Sequence, residues 1–167
     1  MKYRAAKTFI LQKMARELTN KLTYHGLHHT LDVLKITSEL CKAENISRKN
    51  TTLLKTAALF HDSGFTETYT NHEEKGCEIA KRHLPEFGYE EEDINKICGM
   101  IMATKIPQNP QNHLEQIICD ADLDYLGRDD FYSIGSTLFE EFKVYNVVND
   151  ERSWNRLQVG FIGNHNY

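Results

Sequence analysis

His61-Asp62 closes the apolar run Leu53-Leu54-Lys55-Thr56-Ala57-Ala58-Leu59-Phe60. A histidine and an aspartate at the end of a hydrophobic segment are costly to bury without a partner. Imidazole nitrogen and carboxylate oxygen both donate to a divalent metal, which makes a metal a natural partner. Two other segments repeat the pattern. Read backwards from Leu40, the stripe Ile36 and Val33 continues to His29 at helical offsets. Leu114 and Ile118 lead in the same way to Asp122 and Tyr125. His29, His61 and Asp122 thus each fall on a face that should be buried, and Asp62 adds a further ligand-type group. One such histidine is ordinarily a hydrogen-bonded core residue, and one such aspartate a cap or salt-bridge partner. Their joint occurrence on distant segments points to a mixed nitrogen and oxygen site with room for water.

Those positions presuppose helices. The chain has 167 residues, enough for one domain with one real core, and is 40% hydrophobic and 26% charged. Its net charge of −4 gives no field built for a nucleic-acid polymer or an anionic membrane. Apolar residues recur mostly at helical spacing. Helices are expected at about 2–20, 27–44, 47–61, 71–84, 90–104, 113–126 and 129–145, with an eighth from near Ser153. Ser47 and Asn71 stand as N-caps, Pro85 as the stop of the fourth helix and Gly127 as the end of the sixth. Pro107 and Pro110 lie in a polar loop over 105–112. The expected fold is an all-α bundle of seven or eight helices, residues 1–167 forming a single domain.

Trp154, Leu157, Phe161 and Ile162 give the eighth helix an apolar face for the core or for a homodimer. The chain stops at Gly163-Asn164-His165-Asn166-Tyr167 with no helix stop, so its last helix is expected to be truncated. Cys41, Cys77, Cys98 and Cys119 are widely spaced and read as buried free thiols. With no apolar stretch near the ~20 residues of a membrane span and no signal-peptide core, a cytoplasmic location is expected.

The strings Tyr24-His25-x-x-x-His29-Thr30, Ala58-Leu59-Phe60-His61-Asp62 and Asp120-Ala121-Asp122-Leu123-Asp124, in this order, resemble the HD domain superfamily of metal-dependent phosphohydrolases. The resemblance covers about residues 22–130. It implies an all-helical fold, a metal bound between helices by His29, His61, Asp62 and Asp122, and hydrolysis of a phosphate ester. Asp120 is the alternative to Asp122. The helical stripe favours Asp122, because Asp120 groups with His113, Gln116 and Asp124 on a more polar face, and the family's A-D-x-L pattern favours it too. One departure narrows the branch. Enzymes of this family acting on guanosine tetraphosphate carry an acidic pair in HDxxED, whereas His61-Asp62-Ser63-Gly64-Phe65-Thr66 has no acid before Glu67. The HD-GYP signature is absent as well. Short enzymes of unassigned substrate are the nearest in character.

Asp62, His72 and Glu73 are the expected catalytic residues. A His-Glu dipeptide at this place recurs in HD-type proteins, where it faces the metal cavity, holds a second ion or orients a water. The competing role is local: Asn71 and Glu74 would form a capping box around them. His25, one turn before His29, and the cations Lys75 and Arg128 are candidates for the substrate phosphate, with surface ion pairing as the default for the cations. Lys105 stands at a loop rim. The metal would be Mn, Mg, Fe, Ni or Zn, and two histidines disfavour a pure magnesium site. The implied substrate is a phosphomonoester or phosphodiester, a nucleotide or related small phosphorylated metabolite. Two other classes remain open: a non-catalytic metal- or nucleotide-binding regulatory module, and a helical scaffold with a salt-linked core.

Overall fold

A computed structural model describes residues 1–164. The elements in order are α1 (Tyr3–Glu17), α2 (Leu27–Ala43), α3 (Arg48–Phe60), α4 (His72–His83), α5 (Glu91–Ala103), α6 (His113–Leu123), α7 (Phe131–Val144) and α8 (Glu151–Asn164). Short 3-10 turns at Ser63–Thr66, Leu84–Phe87 and Asp124–Gly127 join them, and no strand occurs among the described residues. Residues 165–167 lie outside the described residues, and so does the expectation of a truncated last helix. Among the described residues no helix is long and apolar enough to cross a membrane.

Helix α3 is the axis of the molecule. Leu53, Leu54, Ala57, Ala58, Leu59 and Phe60 are fully buried, so its last turn is apolar on every side. The stripe expected from the sequence understates this, because a helix enclosed by neighbours carries no polar face. Helices α1, α2, α5 and α6 all pack on it. Each large apolar side chain withdrawn from water there contributes about 1.5–3 kcal/mol. Helix α1 answers with Ala6, Ile10 and Met14, spaced one turn apart and fully buried. A second, smaller cluster joins Tyr24, Leu123 and Tyr125 to Phe131, Ile134, Leu138 and Phe161 from α7 and α8. All four cysteines are free and buried.

Several helix ends follow the expected chemistry and one does not. Ser47 accepts a hydrogen bond from the Asn50 amide (3.3 Å), and Asn112 accepts from the Leu114 and Glu115 amides (3.1 and 3.2 Å). Asn71 instead adopts a left-handed conformation (φ 54°) and makes no capping bond. The anticipated Asn71–Glu74 capping box is therefore absent. Glu74 pairs with Lys105, whose ammonium also donates to Asn71 at 3.3 Å. The sixth helix ends at Leu123 and tightens into the 3-10 turn Asp124–Gly127. Hydrophobic spacing does not separate that turn from a continued α-helix.

Two glycines seat α4 against the end of α3. A Cβ on Gly64 would stand 1.9 Å from the His72 carbonyl oxygen, and one on Gly76 would stand 2.9 Å from that of Phe60. Only hydrogen fits at either place, and this backbone contact fixes where α4 begins. Gly64→Ala is expected to lower stability by about 3 kcal/mol, at or above the usual range for overpacking, because backbone rather than a flexible side chain must yield. Urea denaturation measures it; a loss under 0.5 kcal/mol contradicts this packing.

Candidate metal centre

Helices α2, α3 and α6 deliver one ligand-type side chain each to a common point. His61 N–H completes α3 by donating to the Ala57 carbonyl at 2.8 Å. Its ring turns back so that Nδ1 lies 2.9 Å from the Ala58 carbonyl. That carbonyl is one of the orphan acceptors of a helix end. The same bond ties down one ring nitrogen and leaves Nε2 to face inward, the orientation that metal-bound histidines need. His29 Nε2 stands 3.4 Å from His61 Nε2 and 3.0 Å from Asp122 Oδ1. His61 Nε2 lies 3.4 Å from Asp122 Oδ1 and 3.2 Å from Asp62 Oδ2, which is also 3.5 Å from His29 Nε2.

These contacts are poor hydrogen bonds but have the edges of a coordination polyhedron. Donor atoms about 2.0–2.2 Å from a shared ion stand roughly 2.9–3.6 Å from one another. Asp62 Oδ2 is buried and accepts no hydrogen bond. Such an oxygen is expensive unless a cation meets it. His29, His61 and Asp122 together present a donor group suited to a metal ion. Two carboxylates and one divalent cation also sum to zero charge, the balance that a low-dielectric interior tolerates. The residues present therefore fit a divalent ion. Asp122 is the aspartate beside the histidines, whereas Asp120 is exposed and lines a separate surface hollow with Leu40 and Asp124.

The electrostatics show how tightly these groups depend on one another. Burial alone would lower the His61 imidazole, yet the Asp62 and Asp122 carboxylates hold it well above its ordinary value. Burial would likewise raise both acids, and instead the neighbouring imidazoles draw Asp62 and Asp122 far below the carboxylate range.

A second set of side chains borders the donors. His72 Nε2 lies 3.5 Å from Asp62 Oδ1 and 3.4 Å from Glu73 Oε1. Burial pushes the His72 imidazole below its usual value. Phe65 stacks on His72 (3.8 Å between ring centres) and lies 4.5 Å from His25, so one ring spaces two histidines. His25 is fixed from α7. Glu141, fully buried, accepts from the Tyr24 and His25 amides at 2.8 and 3.0 Å and holds His25 Nδ1 at 2.5 Å. Burial opposes charge on His25, but Glu141 outweighs it and raises the imidazole. Tyr24 packs its ring 4.5 Å from that of His29.

The structure assembles His25, His29, His61, Asp62, His72, Glu73 and Asp122 around one space, and it directs the cations elsewhere. Lys75 pairs with Glu78 at 2.5 Å and with Glu67 at 3.7 Å. Arg128 is engaged by Asp32 (2.7 Å), Asp124 (3.2 Å) and Asp130 (2.9 Å). A cation already neutralised three times has little left for a phosphate, so the ion-pair default describes the geometry of both residues. Glu67 faces Lys75 and Arg82 rather than the donors. The face of Trp154, Leu157, Phe161 and Ile162 turns toward a cavity that starts at Asp62 and Asp122.

Glu141, Phe65 and the Gly64–Gly76 contact were not singled out from the sequence. Glu141 did carry a signal, since it continues the stripe Ile134 and Leu138 on α7 as His29 continues that of α2. Gly76 inside a helical pattern was a second one. Phe65 carried none.

Comparison with known proteins agrees with the geometry. The HD domain family model matches residues 26–124, more than half of the chain. An uncharacterized protein from Clostridium beijerinckii is 36% identical over 84 residues, which is 48% of this chain. The match spans 53% of that relative, about half of its length. Among solved structures, the crystal structure of a predicted HD superfamily hydrolase from an uncultured Thermotogales bacterium superposes with a TM-score of 0.64. It is 25% identical, covering 77% of this chain and 74% of that one.

Proposed function

This chain belongs to the HD domain family, and from that premise we propose that it is a divalent-metal-dependent phosphohydrolase. Its substrate would be a phosphomonoester or phosphodiester of a small metabolite, nucleotides included, with residues 1–167 working as one HD-type domain. The single observation that carries this reading is the convergence of His29, His61, Asp62 and Asp122 within 3.0–3.5 Å contacts, with a buried Asp62 oxygen that accepts no hydrogen bond.

A divalent ion held there supplies charge neutralisation for the phosphoryl oxygens and lowers the pKa of a nucleophilic water. The protein's own residues do the rest. His72 Nε2 stands between Asp62 and Glu73, where it can take a proton from the attacking water and give one to the departing ester oxygen. Glu73 and Asp62 hold that imidazole in place. His25, whose imidazole Glu141 raises above its ordinary value, would offer positive charge to the phosphate when protonated. The four buried free thiols suit a reducing compartment, in keeping with a cytoplasmic location.

The test is to strip the protein with a chelator, reload it with Mn, Fe, Ni, Zn or Mg, and assay a chromogenic phosphoester. Reloading should raise the melting temperature and restore turnover. Metal binding without turnover across phosphoesters and nucleotides would instead make it a regulatory binding module. An unchanged melting temperature would make the cluster a salt-linked core. His72→Gln is expected to keep its metal and lose about a hundredfold in kcat, the lower end for a general base. Metal analysis and steady-state kinetics on the same preparation check both halves.

A further inference from the structure

The cavity beside Asp62 and Asp122 has a volume of about 500 Å³, the size of a small-ligand pocket. Its two ends differ in chemistry. One end carries Asp62 and Asp122 with His25, His72 and Glu73. The walls beyond are Leu126, Leu138, Phe142, Trp154, Leu157 and Phe161, from the turn after α6 and from α7 and α8. No lysine or arginine lines this cavity among the described residues. Lys75, Lys105 and Arg128, close along the chain to lining residues, are committed to acids: Lys75 to Glu78, Lys105 to Glu74, and Arg128 to Asp32, Asp124 and Asp130.

Resting on the phosphohydrolase reading, we propose that the substrate carries a single phosphate esterified to an apolar alkyl or aryl group, which fills the α7–α8 end. A nucleoside polyphosphate suits the cavity badly. Its additional phosphates would enter a space that already holds Asp62, Glu73 and Asp122, with no guanidinium or ammonium to meet them. Ribose hydroxyls would fare no better, since buried hydroxyls need partners. The polar groups along the walls are few. The Thr104 hydroxyl is spent on the Ile101 carbonyl at 2.8 Å, Tyr24 and Tyr125 bond each other, and Gln158 supplies an amide. An apolar chain asks nothing of such walls and gains by leaving water.

The experiment is a chain-length series. The metal-loaded protein is assayed on methyl through octyl phosphate and on a nucleoside mono- and triphosphate. In parallel, binding of methyl- and octylphosphonate is measured by calorimetry. kcat/KM and phosphonate affinity should both climb by about fourfold per methylene until the cavity is full. The triphosphate should fall at least a hundredfold below the octyl ester. Leu157→Asn alters a half-open wall rather than the core, and it should cut the octyl-to-methyl ratio about tenfold in both measurements. Turnover and binding that are flat with chain length, with nucleotides preferred, overturn the apolar-group proposal and leave the hydrolase reading standing. Chain-length-dependent binding without turnover of any ester does the reverse. Neither turnover nor chain-length dependence overturns both.

Discussion

His61→Ala is expected to retain less than about one tenth of the wild-type metal and to lose turnover by a thousandfold or more. Several kcal/mol of transition-state charge stabilisation go with the ion, and each 1.36 kcal/mol is a factor of ten. Asp62→Ala should behave alike. Two of the short contacts around His29 and Asp122 end on His61, and the unbonded Asp62 oxygen faces both imidazoles. Truncating either side chain also leaves the opposite charge buried without its partner, a loss of about 3–5 kcal/mol in the metal-free protein. Elemental analysis of variants that keep the wild-type helical circular dichroism separates metal loss from unfolding. Full metal content in both variants would place the ion elsewhere.

Glu141→Gln should rank with Gly64→Ala among the most damaging changes outside the candidate ligands, lowering stability by about 3 kcal/mol, because it removes a fully buried charge partner. The amide still accepts from the Tyr24 and His25 backbone but no longer balances the imidazole. Burial would raise the Glu141 carboxyl, and His25 more than reverses this, bringing it below its ordinary 4.5. The His25 imidazole is raised above its ordinary 6.5 against the effect of burial, by Glu141 first and by Asp62 and Asp122 besides. A depressed acid contributes stability in full above its unfolded value and loses it as pH falls through the folded one. A raised imidazole contributes in full below its unfolded value and loses it as pH rises through the folded one. Both contributions are complete between pH 4.5 and 6.5. The gap between wild type and Glu141→Gln should therefore be widest in that window and narrow on both sides, as urea denaturation at a series of pH values will show. A gap constant with pH would mean that Glu141 serves as a hydrogen-bond acceptor alone.

The three side chains that could hold a metal, His29, His61 and Asp122, are legible in the sequence because each breaks an apolar stripe at helical spacing. His29 follows Val33 and Ile36, and Asp122 follows Ile118, so period and residue type together locate them. The preference for Asp122 over Asp120 rests on that same periodicity together with the family's A-D-x-L pattern, and in the fold Asp120 is exposed while Asp122 is mostly buried. Glu141 was legible by the same rule but sits far along the chain from any motif. Asn71 shows where local reasoning stops. Its spacing to Glu74 suits a capping box, yet the close seating of α4 at Gly64 accompanies a left-handed Asn71, and Lys105 claims Glu74 from another segment. The commitments of Lys75 and Arg128 are equally tertiary. Glu78 was visible as an i,i+3 neighbour of Lys75, but Asp32 reaches Arg128 from a distant helix. The apolar end of the cavity depends on how α7 and α8 close over the donors, which no single segment encodes.

The most direct measurement is anomalous scattering from crystals of the manganese-loaded protein. One strong peak should lie about 2.0–2.3 Å from His29 Nε2, His61 Nε2 and a carboxylate oxygen of each of Asp62 and Asp122. Manganese bound elsewhere in an active protein, with these four side chains left as they stand, would contradict the assignment of the centre.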